Sequence, residues 1–281
     1  MYKIFDFKGL FDSHSHFNMI EAPKDDLIHE AVDAGLEKIV DVATDFESSQ
    51  QTLKNSSLFP EIILPTAGIH PEWLVPGSDM FDLSRDEKSV EFETEKIKNL
   101  IKENQGKYHL VGEAGLDYYW LEKNPNLSKS DIDKSISLQK QLFENQLKIA
   151  VKFDLPVTIH ARSSHKDCIE LVSKYKGKLK GIFHSFTGNL DEAKEIMALG
   201  FPIGINGIIT YKSAQTLRST IQALTKKEEI TNPQDLYRLG ILLESDSPLL
   251  IPSNITNRKK YNSPDSIKFI WEFVYSMFKA E

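Results

Sequence analysis

The chain has 281 residues, with 34 Lys and Arg against 41 Asp and Glu, a formal net charge of −7. At 40 % hydrophobic and 27 % charged residues the composition is that of an ordinary globular protein, which excludes disordered, collagen-like and coiled-coil classes. The acidic balance argues against binding nucleic acid through a broad basic face, but not against an enzyme that grips one phosphate locally. At about 150 residues per domain the length falls just short of two, yet α/β barrels of this size are one domain. A single domain over 1–281 is expected. The one cysteine, Cys168, excludes a disulfide framework and a thiolate zinc site and fits a reducing compartment. Met1–Leu10 mixes charge with aromatics and has no apolar leader core. No apolar run approaches the ~18 residues of a membrane span. The expectation is a cytoplasmic protein with no membrane contact and no obligate protein partner.

Eight short apolar runs follow one another: Gly9–His14, Lys38–Ala43, Ile62–His70, His109–Gly115, Leu155–His160, Lys180–His184, Phe201–Asn206 and Ile241–Asp246. Most are apolar until their last positions, as parallel strands buried on both faces are. Between them lie segments of helical spacing: Lys24–Ala34, Val90–Glu103, Leu138–Val151, His165–Tyr175, Leu190–Leu199, Ala214–Leu224 and Ile267–Phe278. Val90–Glu103 carries Phe92, Ile97, Leu100 and Ile101 on one predicted stripe. Pro71–Asp86 and Trp120–Lys134 read as loop insertions. Eight strands alternating with helices predict an α/β fold, a (β/α)8 TIM barrel, with an eight-stranded open doubly wound sheet as the alternative.

The polar residues favour the barrel. His14, His70, His160 and His184 end predicted strands, as do Glu113 and Asp246, and His16 follows His14 by two. In a parallel barrel those ends open onto one face, where active sites lie. Residues i and i+2 of a strand point to one side roughly 7 Å apart, so His14 and His16 can converge on one ion. Asp12 and Ser13 sit in an apolar strand, where an unpaired polar group is costly; orienting the imidazoles would explain them. Singly, His160 and His184 read as core histidines bonded to backbone carbonyls, Asp246 as a turn former, and Glu113 as the partner of Arg162. Together at strand ends they read as ligands. Six such groups, His14, His16, Glu113, His160, His184 and Asp246, exceed one ion's needs and match two divalent ions sharing Glu113. Imidazole mixed with carboxylate suits zinc, manganese, iron or magnesium. Tyr118, Tyr119 and Trp120 are either loop packing or a stacking surface for a base. His29, His109 and His165 end no strand and are expected to be structural or solvated.

The blocks FDSHSHFN (Phe11–Asn18), GIHP (Gly68–Pro71), GEAGLDYY (Gly112–Tyr119), LPVTIHAR (Leu155–Arg162), HSFTGN (His184–Asn189), GINGIITYKSA (Gly204–Ala214) and LLESDSPLLIP (Leu242–Pro252) resemble those of the TatD-like metal-dependent hydrolase family. They stand in that family's order, among the amidohydrolase-type barrels. The resemblance implies divalent-metal hydrolysis, most often as a deoxyribonuclease. It implies His14, His16 and Asp246 on a first ion, His160 and His184 on a second, Glu113 bridging, and His70 and Arg162 on substrate phosphate. Ser13, Ser15, Asn18 and Leu249 depart from the usual residues, and none is a ligand. The expected chemistry is phosphodiester hydrolysis of DNA, single-stranded or at 3′ ends, by a 3′–5′ exonuclease with Asp246 and Glu113 as catalytic groups. The rivals are hydrolysis of an amide, lactone or aminoacyl ester on the same ions, and a non-catalytic binding protein. No lysine stands at Glu113's position, which argues against the carbamylated-lysine amidohydrolases.

Overall fold

The computed structural model describes residues 9–82, 84–256 and 260–279; most of the N-terminal stretch discussed above lies outside them. The strands are β1 Leu10–Ser15, β2 Leu36–Asp41, β3 Ile63–Ala67, β4 Leu110–Asp117, β5 Val157–Arg162, β6 Gly181–Phe183, β7 Ile203–Ile205 and β8 Ile241–Leu243. The helices are α1 Lys24–Asp33, α2 Phe46–Leu58, α3 Glu87–Glu103, α4 Tyr119–Lys123, α5 Lys129–Phe153, α6 His165–Ser173, α7 Leu190–Ala198, α8 Gln215–Thr225, α9 Pro233–Arg238 and α10 Ile267–Lys279. The eight strands form one sheet in the order β1 to β8. The last returns to the first: Ser13 Oγ donates to the Leu243 carbonyl at 3.0 Å, and the Asp246 N–H to the His14 carbonyl at 2.9 Å. A sheet of that order closed on itself is the (β/α)8 barrel, and the open-sheet alternative falls. Among the described residues no helix is long and apolar enough to cross a membrane.

The chain divides into two compact units, Met1–Asp41 with Asn55–Leu64 and Ile182–Glu281, and Val42–Lys54 with Pro65–Gly181. In the first, Phe11, Phe183, Ile203, Ile205 and Leu243 are buried on the strands and Phe201 just before β7, with Leu27 on α1 and Ile270 and Val274 on α10. In the second, Val111, Leu116, Val157 and Ile159 are buried on β4 and β5, Ile97 on α3, and Phe143 and Leu147 on α5; α5 packs on β4, and α3 on α5. Burial of such side chains is worth roughly 1.5–3 kcal/mol each, and this apolar packing holds both units.

Three expectations are corrected. Helix α2, FESSQQTLKNSSL, is missing from the sequence reading because its Ser- and Gln-rich stretch shows little apolar periodicity. Its start is fixed by Asp45, which accepts from the Ser48 N–H at 2.7 Å. The Trp120–Lys134 segment is not all loop: it holds α4 and the first turns of α5. Ser128 and Asp131 form a capping box there, and those turns are solvent-exposed, so they carry no apolar stripe. Phe92 is not part of the α3 stripe and is 66 % exposed.

Helix α5 does more than fill the core. Gln139 and Gln146, seven residues apart and both buried, clamp backbone at two strand ends. Gln146 accepts from the Ile69 N–H at 2.8 Å and donates to the Ile69 carbonyl at 2.9 Å. Gln139 does the same for Asp117, at 2.8 and 3.2 Å. Gln146→Leu keeps the volume but orphans both Ile69 groups. It is expected to lower stability by about 2–6 kcal/mol, from about 1–3 kcal/mol for each of the two buried unpaired groups. Urea unfolding checks this, and an unchanged midpoint would show that the clamp carries no stability.

Candidate metal centre

In the first unit, four of the predicted ligands come together. His14 lies near the end of β1, His16 and His184 just past β1 and β6, and Asp246 three residues past β8; all four are buried. The register is set by the backbone, through the Asp246 N–H to the His14 carbonyl and the His16 N–H to the Ser247 carbonyl at 2.7 Å. The His14 and His184 rings stack with centroids 3.8 Å apart, and His16 meets His14 edge-on at 5.1 Å. Asp246 Oδ1 lies 4.0 Å from His14 Nε2 and 3.7 Å from His16 Nε2. Ligand atoms of His14, His184 and Asp246 all fall within 4.8 Å of one another. Converging buried imidazoles and a carboxylate fit one divalent ion of the zinc or manganese type.

Asp12 and Ser13 are corrected in role. Neither reaches an imidazole. Asp12 accepts from the His14 N–H at 3.2 Å, the Ser245 N–H at 2.8 Å and Ser245 Oγ at 2.5 Å. Burial pushes its carboxyl well above the usual range despite these three donors. Ser245 and Ser15 in turn meet Ser247 Oγ, each at 2.8 Å. The polar residues of FDSHS therefore pin β1 to the residues after β8, and the ligands ride on that seam. Asn18, where the family pattern has an acid, donates its N–H and side-chain amide to buried Asp41 at 2.9 and 2.7 Å. Leu249 is 57 % exposed.

In the second unit, His70, Glu113, Asp117 and His160 form a cluster. His160 Nδ1 lies 2.8 Å from Glu113 Oε1 and 3.3 Å from His70 Nε2, and His160 Nε2 lies 3.0 Å from Asp117 Oδ2. His70 Nε2 is 3.4 Å from Glu113 Oε1, and ligand atoms of His70, Glu113 and His160 share a 4.8 Å sphere. Gly115, paired in register with His160, lets β4 and β5 close here: its φ is +154°, and a Cβ would stand 2.0 Å from the His160 carbonyl oxygen. His70 Nδ1 accepts from the Glu72 N–H at 3.2 Å. In the neutral ring the proton is then on Nε2, which makes His70 a donor toward the cluster rather than a lone-pair ligand.

Arg162, its side chain 44 % exposed, has Nη1 4.0 Å from Asp117 Oδ2. Its guanidinium lies 3.9 Å from the Tyr119 ring centroid and 5.3 Å from that of Trp120. Trp120, 44 % exposed, donates from Nε1 to Glu72 Oε1 at 3.1 Å. Tyr119 and Trp120 thus form an aromatic wall beside the cluster, whereas Tyr118 turns away to Asp167 at 2.9 Å. His29 and His109 are exposed and His165 is half-buried. From the sequence, Glu244 in the apolar run Ile241–Asp246 reads as a buried carboxylate in need of a partner, a metal above all, whereas nothing there marks Asn206, Gln139 and Gln146 as supports.

Burial opposes charging His160, but the Asp117 and Glu113 carboxylates outweigh it and raise the imidazole to about 9. Asp117, against the effect of its own burial, is held below the ordinary carboxylate range by His160 and Arg162. In metal-free protein the charged His160 stabilises the fold fully below its unfolded value of about 6.5, and that contribution is lost as pH rises through about 9. Melting of chelated wild type is therefore expected to weaken between those values relative to Asp117→Asn. Parallel curves would contradict the coupling.

A family model described as TatD related DNase matches residues 11–280. An uncharacterised metal-dependent hydrolase of Haemophilus influenzae is 30 % identical over 243 residues, 85 % of this chain and 80 % of that protein. A protein of Escherichia fergusonii named 3′-5′ ssDNA/RNA exonuclease TatD is 27 % identical, covering 83 % of this chain and 76 % of that protein. The crystal structure of YjjV, a TatD homolog from Escherichia coli, superposes with a TM-score of 0.73 at 25 % identity, covering 95 % of this chain and 90 % of that one.

Proposed function

The chain belongs to the TatD-related DNase family, and from that premise we propose that it is a metal-dependent nuclease that removes nucleotides from the 3′ end of single-stranded DNA. The observation that carries the reading is the buried convergence of His14, His184 and Asp246. Six ligand groups exceed the needs of one ion, so two divalent ions are proposed. His14, His16, Glu113, His160, His184 and Asp246 would hold them. When bound, the ions supply an activated water and polarise the phosphoryl oxygens.

The chain's own groups do the rest. Asp246, whose Oδ1 faces His14 and His16, takes the proton of the attacking water on its other oxygen. His70 donates from Nε2 to a phosphoryl oxygen. Arg162, always charged, binds a second one through the edge of its fork, while Tyr119 supports its face. Asp117 holds Nε2–H of His160, leaving Nδ1 as the ligand atom. Trp120 and Tyr119 favour a polynucleotide over the rival esters, because a splayed terminal base can stack there. The test sets 3′-labelled single-stranded DNA, duplex DNA and an aminoacyl ester side by side with manganese. Stepwise shortening of the single strand is expected, and turnover of the ester alone would replace this reading by the rival one.

A further inference from the structure

A buried carboxylate beside His184 has no part in the chemistry above. Glu244, directly after β8, is fully buried. Its Oε1 accepts from the Ser185 N–H at 2.5 Å and from Asn206 Nδ2 at 3.3 Å, and lies 3.7 Å from His184 Nδ1. Its Oε2 has no hydrogen-bond partner among the described residues. Space for it is reserved at Gly204 on β7, where a Cβ would stand 2.0 Å from Oε2. Asn206 also donates to Ser185 Oγ at 2.9 Å, and Ser185 holds φ +48°, unusual for a residue with a side chain.

Burying a carboxylate is costly unless something charged or protic faces it. Two donors hold one oxygen in place. The groups that keep it there sit on the residue after His184 and two residues beyond Gly204. The His184 ring presents Nδ1 toward this carboxylate, which leaves Nε2 as the nitrogen that can meet an ion. A metal-bound imidazole characteristically gives its other N–H to a carboxylate or carbonyl, which fixes the tautomer and raises ligand basicity.

We infer that Glu244 is the positioning residue of the metal centre: it accepts the Nδ1–H of His184 and thereby makes His184 an Nε2 ligand. Asn206 and Ser185 hold the carboxylate in place, and Gly204 is the residue that leaves room for it. The inference rests on the reading of His184 as a metal ligand.

The test is metal binding, read without activity. Zinc titration of chelated protein by calorimetry is expected to show a roughly 10–100-fold weaker site in Glu244→Gln than in wild type, the scale of losing a carboxylate behind a metal-bound histidine. Gly204→Ala, which keeps the carboxylate but displaces it, should weaken the same site. On zinc-loaded wild type, long-range proton–nitrogen spectra of the histidine rings, assigned with His184→Gln, should show His184 protonated at Nδ1; this measurement does not depend on any variant of Glu244 folding. Protonation at Nε2, or Glu244→Gln binding zinc as wild type does, overturns the inference while leaving the metal reading intact. Wild type that takes up no zinc, manganese or magnesium overturns both.

Discussion

Glu113→Gln is expected to abolish DNA hydrolysis while leaving the fold intact. Glu113 is buried on β4 and faces both His160 and His70. Gln keeps its volume and one oxygen but loses the charge that a divalent ion and a protonated His160 both need. The loss should exceed that of Arg162→Ala. Arg162 supplies one charge-assisted contact, worth roughly 10²–10³-fold in rate by comparison with an oxyanion-stabilising donor. Glu113 stands inside β4, four residues before its end and not at the strand end the sequence predicts; because Gln fills the same volume, circular dichroism should not change. Metal content measured on the same sample links the lost activity to a lost ion. A Glu113→Gln enzyme faster than Arg162→Ala would remove Glu113 from the centre.

Asp246→Asn should be the other severe lesion, a fall of roughly 10²–10⁴-fold in kcat, the usual contribution of a general base. Asp246 has φ +52°, a left-handed conformation that Asn tolerates as well as Asp, so the backbone that carries its N–H to the His14 carbonyl survives. Asn can still offer an oxygen to an ion but cannot take a proton. Excess manganese is therefore expected to leave the rate low even where it refills the site. Full rescue by manganese would make Asp246 a ligand only.

The sequence and the structure agree where one residue type has one physical use. Continuous apolar runs ending in His, Glu or Asp mark parallel strands that carry their chemistry on one face, and all eight strands lie where those runs are. The clusters were legible for the same reason: buried histidines and carboxylates at strand ends are costly without a shared task. Helix α2 escaped because serine and glutamine signal loops as readily as solvated helix. For Asp12 the sequence shows the polar cost but not the partner, because Ser245 lies 233 residues away. The glutamine clamps of α5 and the Glu244 cradle are equally non-local: each makes sense only once the strand it fastens is in place.

Dependence on bound metal is the property on which the proposed cleavage of DNA stands. Its most direct test digests 3′-labelled single-stranded DNA with protein stripped by a chelator, then restored with measured equivalents of zinc, manganese or magnesium. No shortening by the stripped protein is expected, and stepwise shortening from the 3′ end should return as metal is bound. Undiminished digestion by protein shown to contain no metal would contradict it.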